Sequence, residues 1–270
     1  MPKLPFCRRA LNTSTYFSQP RLNRVPYSRQ LTTSMASQIN VPKQDNDMTP
    51  NGNTGKRPVV CVFCGASPGT SPAHLSAARS LAQAFHTHGI HLVYGGGTVG
   101  IMGEVARTLV SLSGPQAVHG VIPEALLRYE RNGRDKNGEV KVEIDENVYG
   151  RTTVVKDMHT RKQLMAKEVI ESGPGGGFVA LSGGYGTLEE LMEVITWNQL
   201  GIHERGIVVY NIEGYWDGLL AWVKKSVEEG FVSKKNEEIM VEAKTAGEVV
   251  DRLKNYTKAE GRFGLDWENK

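Results

Sequence analysis

The sequence is poor in cysteine: Cys7, Cys61 and Cys64 are the only three in 270 residues, too few for a disulfide framework in a chain of this length. Cys61 and Cys64 form a C-x-x-C pair, but both fall inside an apolar strand pattern, Val59 to Cys64, and no second pair completes a metal site. They read as small buried hydrophobes. No apolar run approaches the ~20 residues needed to span a bilayer, which predicts a soluble protein without a membrane partner. Acid is missing altogether from the first 44 residues, which hold seven basic ones: Lys3, Arg8, Arg9, Arg21, Arg24, Arg29 and Lys43. The rest of the chain keeps 25 basic against 29 acidic residues, a charge of −4, so the +3 of the whole belongs to the leader. The domain's composition therefore gives no reason to expect nucleic-acid binding.

The leader is rich in arginine and serine, as mitochondrial transit peptides are, while Pro2, Pro5, Pro20 and Pro26 interrupt any long amphipathic helix. Two readings stand: a cytoplasmic protein whose leader is a disordered extension or is bypassed by starting at Met35, or mitochondrial targeting. The predicted organisation is a leader over 1–55, one domain over 56–257 and a loose tail over 258–270.

What the sequence has in plenty is glycine, 30 residues, much of it in turns between short apolar runs and helical patterns. Strands are predicted at Val59–Cys64, Ile90–Tyr94, Ala117–Ile122, Val148–Val155, Phe178–Leu181, Gly206–Tyr210 and Ile239–Val241, with helices between them. This alternation predicts an α/β fold: a doubly wound parallel sheet, a Rossmann-like single domain. Ligands of such sheets bind at the carboxyl ends of the strands, where the strand order reverses. Between Arg131 and Asn147, Asn132-Gly133 and Asn137-Gly138 mark an exposed excursion.

Two glycine turns follow strands. Gly95, Gly97 and Gly100 satisfy G-x-G-x-x-G, but the acid expected ~20 positions later in a dinucleotide site is not clearly present. A mononucleotide or sugar-phosphate pocket shared with the second turn fits better. That second turn, Leu181-Ser182-Gly183-Gly184-Tyr185-Gly186-Thr187-Leu188-Glu189-Glu190, reads as strand, glycine turn and helix start. Backbone amides without Cβ obstruction, at the positive end of a helix, make a phosphate cradle. Carboxylates are poor phosphate ligands, so Glu189 or Glu190 faces another part of a bound molecule. Thr187 to Glu190 also fits a capping box, which would give Glu190 a purely structural task.

Ser182 to Glu190 resembles the PGGxGTxxE motif of the lonely guy (LOG) family, and Met158-His159-Thr160-Arg161-Lys162 resembles its MHxRK motif. Similarity extends from about Val59 to Leu253, through Gly95 to Gly103 and through Trp197 to His203. The chain departs from the family at Ser182, where the motif has proline, and in longer segments at Arg131–Val148 and Glu171–Gly176. The resemblance implies a cytokinin riboside 5′-monophosphate phosphoribohydrolase, comparable to an AMP nucleosidase, acting without metal or cofactor and as a homodimer. It implies catalytic roles for Arg161 and Glu190. Substrate contacts would come from Gly96, Gly97, Glu130, Arg161, Lys162, Gly183, Gly184, Tyr185, Gly186, Thr187, Leu188, Glu189 and Thr196. His159 takes a structural or supporting place, and Trp197, Gln199 and Leu200 pack the helix near the base and the subunit contact. Some related sequences carry a lysine decarboxylase label, but no pyridoxal-phosphate lysine is identifiable.

The residues also suit that chemistry. Glycosidic cleavage builds positive charge at C1′, which a carboxylate stabilises, traps or relieves by activating water. An arginine's planar fork suits phosphate or ribose hydroxyls. A non-catalytic nucleotide-binding protein on the same fold is the alternative, since fold does not determine function.

Overall fold

The computed structural model describes residues 55–127, 130 and 144–265. Nearly all of the leader, and most of the excursion expected between Arg131 and Asn147, lie outside the described residues. Seven strands form one sheet: β1 (Val59–Phe63), β2 (His91–Tyr94), β3 (Val118–Pro123), β4 (Arg151–Val155), β5 (Gly177–Ala180), β6 (Gly206–Tyr210) and β7 (Met240–Ala243). Their order is β4-β3-β2-β1-β5-β6-β7, and every neighbouring pair is parallel. The helices are α1 (Pro72–Thr87), α2 (Gly100–Ser113), the short α3 (Glu124–Leu127) and α4 (Glu146–Tyr149), α5 (Met158–Ile170), α6 (Tyr185–Gln199), α7 (Asp217–Glu228) and α8 (Ala246–Lys254). This is the doubly wound, Rossmann-like α/β architecture that the alternation predicts.

The strands read as unbroken apolar runs because both faces of the sheet are covered. Alternate residues of β1 separate cleanly: Val60 and Val62 pack with Leu81, Phe85, Ile101 and Leu109 of α1 and α2. Cys61 and Phe63 pack instead with Met165 and Val169 of α5 and Leu191 and Val194 of α6. That two-residue period is the pleat itself. Each such side chain, wholly buried, contributes about 1.5–3 kcal/mol. Among the described residues, no helix is long and apolar enough to cross a membrane.

Strand order reverses beside β1, which continues toward β2 on one side and is flanked by β5 on the other. The loops leaving β1 and β5 are joined there, since Gly65 N donates to Ser182 O at 3.0 Å and Leu181 N to Phe63 O at 3.0 Å. The crevice is therefore built from the chain around Gly65 and the chain around Gly183.

Two local expectations change. Val148 and Tyr149 do not belong to a strand: Asp145 caps α4 by accepting from Asn147 N at 3.0 Å, a local bond that competes with pairing. Gly150, at φ +86°, then turns the chain into β4. The tail expected to be loose is tied down over its described part. Arg262 donates to Asn198 O and His203 O, each at 2.7 Å, and Phe263 N donates to Gln199 O at 2.8 Å.

Candidate active site

Helix α5 begins where Asp157 caps it, its carboxylate accepting from Thr160 N at 2.7 Å. The same bond, to the backbone and side chain of Thr160, lowers the Asp157 pKa. With the start so placed, Arg161, Met165 and Val169 fall on one face at four-residue spacing. All three are buried. Arginine thus occupies the first position of a core stripe, where the stripe runs out into the crevice.

Helix α6 starts earlier than the capping-box reading requires. Gly184 is the N-cap and Tyr185 the first helical residue, and Leu188 N already donates to Gly184 O at 3.1 Å. Thr187 is thus the third helical residue and Glu190 the sixth, too far in to reach back to a cap. Glycine at 184 and 186 lets the first turn form without side chains around it. Glu190 lies on the buried face with Thr187, Leu191 and Val194, and its carboxylate points to α5.

Across that gap, Glu190 Oε1 stands 3.3 Å from Arg161 Nη2. Only 7% of Glu190 and 8% of Arg161 is exposed, so the pair is shielded from bulk water. Arg161 Nη1 also contacts Met158 Sδ at 3.7 Å. Arg161 Nε and Glu190 Oε1 are buried without a hydrogen bond among the described residues. Burial pushes the Glu190 carboxyl above its ordinary value and Arg161 opposes the shift. The pair lines a cleft of about 260 Å³ with Gly65, Gly184, Gly186 and Thr187. Cys64 lines it too, but burial pushes its thiol far up, with Glu190 adding to the shift and Arg161 opposing it. It remains a protonated apolar wall, not a nucleophile.

Gly95 makes room for the guanidinium: a Cβ there would stand 2.0 Å from Arg161 Nη2. Because that atom is the end of a flexible side chain, Gly95→Ala is expected to displace Arg161 while the sheet stays folded. Turnover should fall by about 10²-fold, the scale of an ~1 Å misplacement, with a loss of melting temperature smaller than that of removing the guanidinium. Steady-state kinetics beside a thermal melt checks this.

The first glycine turn serves differently from the shared cradle expected. Ile101 N and Met102 N of α2 donate to Gly65 O at 3.1 and 3.2 Å, so these amides are spent on the loop after β1. Gly96 packs against Ile122, and Glu130 clamps the turn by accepting from Thr98 N and Thr98 Oγ1, both at 2.7 Å. Gly97 stands beside Glu130 and Met102. The Ile101 and Met102 amides are thus withdrawn from a shared cradle, while the start of α6 presents amides that have no partner within the helix.

The remaining expected contacts divide. Glu189 lines the cleft and accepts from Lys162 Nζ at 2.6 Å, while Lys162 also reaches Glu193 at 3.1 Å, so Lys162 crosslinks α5 and α6. Tyr185, 95% exposed, and Leu188 face another cavity, of about 650 Å³, together with Met192 and Trp222. Thr196 lies roughly 18 Å along α6 from Gly184 at the helical rise, and its hydroxyl donates to Met192 O at 2.8 Å. The structure does not bring it to the cleft. Sequence reading missed Gly65 and Ala66 as cleft walls; their place at the end of the central strand is the signal that could have found them.

Known proteins are similar to this chain. A family model described as "Possible lysine decarboxylase" matches residues 102–253. A probable cytokinin riboside 5′-monophosphate phosphoribohydrolase of Oryza sativa subsp. japonica is 43% identical over 211 residues, 77% of this chain and 90% of that protein. The chain belongs to the LOG family. An Arabidopsis thaliana member, named cytokinin riboside 5′-monophosphate phosphoribohydrolase, is 42% identical over 211 residues, covering 77% of this chain and 88% of its own length. A Fusarium pseudograminearum relative, named bifunctional cytokinin biosynthesis protein, is 52% identical over 215 residues, 80% of this chain but only 44% of the relative. The LOG fold extends further: a molybdenum cofactor carrier protein of Chlamydomonas reinhardtii superposes with a TM-score of 0.51 at 18% identity, over 74% of this chain and 97% of that one. That likeness concerns the fold alone.

Proposed function

We propose that this LOG-family chain hydrolyses the N-glycosidic bond of cytokinin riboside 5′-monophosphates, N6-substituted adenosine 5′-monophosphates, to free base and ribose 5-phosphate. One observation carries the reading: a shielded carboxylate and guanidinium, 3.3 Å apart, stand beside the amide-presenting start of α6. The 5′-phosphate lies on the amides of Gly184 to Thr187, which have no partner within the helix. The ribose then lies over Arg161 and Glu190. As the C1′–N bond breaks, its electron pair leaves with the base and C1′ gains cationic character, which the Glu190 carboxylate stabilises. Water adds its oxygen to C1′; of its two protons, one stays on the new hydroxyl and the other ends on the base. Arg161 holds the sugar and keeps Glu190 ionised against the pull of burial.

The family model's printed description names a decarboxylase, whose pyridoxal chemistry begins from a neutral lysine amine. Lys162, next to Arg161, is in the opposite state. Burial works against its charge, but hydrogen bonds to Glu189 and Glu193 outweigh it and raise its pKa.

The phosphate cradle gives the test. A monophosphate should show a kcat/KM at least ~10²-fold above its riboside, because charge-assisted bonds to phosphate are worth about 1.5–3 kcal/mol each. Equal kcat/KM for the two substrates would remove the cradle from the account.

A further inference from the structure

A glycine turn has no side chains of its own to define it, and glycine loses more conformational freedom on ordering than any other residue. In this chain the support comes from outside. His74 Nδ1 lies 3.0 Å from Ser182 Oγ, and Ser182 is 4% exposed. Tyr215 donates its hydroxyl hydrogen to Gly183 O, and Ser182 O is taken by Gly65 N at 3.0 Å. The His74 and Tyr215 rings brace each other edge to face, with centroids 5.9 Å apart. His74 is itself held in the first turn of α1, where Ser71 caps the helix by accepting from Ala73 N at 3.2 Å. Three elements distant in sequence thus converge on two consecutive residues of the β5–α6 turn.

We propose that His74 and Tyr215 are positioning residues for the phosphate cradle: His74 fixes Ser182 through its hydroxyl and Tyr215 holds the Gly183 carbonyl away, so that the amides of Gly184 to Thr187 face the 5′-phosphate. This rests on the phosphoribohydrolase reading. A carbonyl oxygen turned toward an anion would repel it, and both carbonyls here are engaged by donors on other segments. Where the family motif has proline, the ring fixes φ covalently. Ser182 leaves φ free, and its hydroxyl contact with His74 takes over the restraint. His74 and Tyr215, with Ser67 and Ser182, wall a recess of about 440 Å³ that Gly184 also lines, so both stand next to the cradle.

The test uses the full chain and ribose 5-phosphate as probe, with binding followed by calorimetry beside KM and kcat for the monophosphate. His74→Ala and Tyr215→Phe should each weaken ribose 5-phosphate binding and raise KM by about tenfold, the scale of one lost hydrogen bond. Since uniform binding is lost, kcat should stay within about twofold. His74→Asn, whose amide can stand where Nδ1 does, should keep most of the affinity. His74→Ala combined with Ser182→Pro should regain it, because proline restores the restraint covalently. A folded His74→Ala that binds ribose 5-phosphate as wild type does, or one that loses melting temperature alone, would overturn the proposal; if it does not fold, Tyr215→Phe and His74→Asn decide. Wild type that binds ribose 5-phosphate without hydrolysing the monophosphate would end the functional reading and leave this one standing, provided the variants behave as stated. Wild type that does not bind ribose 5-phosphate would overturn both.

Discussion

Glu190→Gln is expected to abolish most turnover, by 10²-fold or more, the usual scale for a lost carboxylate in such chemistry, while the protein stays folded. Burial raises the Glu190 pKa above its ordinary value of 4.5 even with Arg161 opposing the shift. A carboxyl whose folded pKa is raised binds its proton more tightly in the folded state, so its stabilising contribution is full below pH 4.5 and is lost as pH climbs through the folded value. Glutamine resembles the protonated form and relieves the cost of burying the charge, but it also leaves Arg161 buried without its anionic partner, so the two changes oppose each other and the fold is retained. The capping box would have predicted the reverse order of effects, with activity kept and stability lost on replacement by alanine. With α6 starting at Tyr185, no cap is lost. A pH series of melting curves, with single-turnover assays on the same samples, checks both outcomes; a folded Glu190→Gln with near wild-type turnover would move the catalytic carboxylate elsewhere.

Arg161→Met should be the more damaging of the pair. Its removal leaves Glu190 buried without its opposing cation, and breaking one side of such a pair costs about 3–5 kcal/mol. The Glu190 pKa should then rise further, because the larger of the two cations that oppose burial is gone and only Lys162 remains. The sign follows: relative to wild type, the variant loses most stability at high pH and converges on it as pH falls through the raised pKa and Glu190 is protonated in both. Turnover should drop about 10²–10³-fold, the scale for removing one preorganised charge donor, with the acidic limb of the pH–rate profile displaced upward. If the limb stays where wild type has it, Glu190 is not the group that titrates in it.

Much of this site is legible in the sequence for a physical reason. Arg161 precedes Met165 and Val169 at four-residue spacing, and Glu190 shares a face with Leu191 and Val194, so each charge interrupts a stripe that should be apolar. Such local conflicts mark functional positions. The strands were equally readable, because both faces of the sheet are buried and the apolar runs are unbroken. What the sequence hid was pairing across distance. Nothing near Gly65 says that its carbonyl receives the amides of Ile101 and Met102, which takes those two out of a shared cradle. Nothing near Ser182 points to His74, 108 positions earlier. The sequence reading starts α6 too late because Gly184-Tyr185-Gly186 has the composition of a turn.

The most direct measurement is the identification of products from N6-isopentenyladenosine 5′-monophosphate by chromatography, with plain AMP and the riboside alongside. The account predicts free isopentenyladenine and ribose 5-phosphate in equal amounts, formed by wild type and nearly lost in Glu190→Gln. Release of the riboside with inorganic phosphate, or recovery of intact monophosphate from folded wild type, would contradict it.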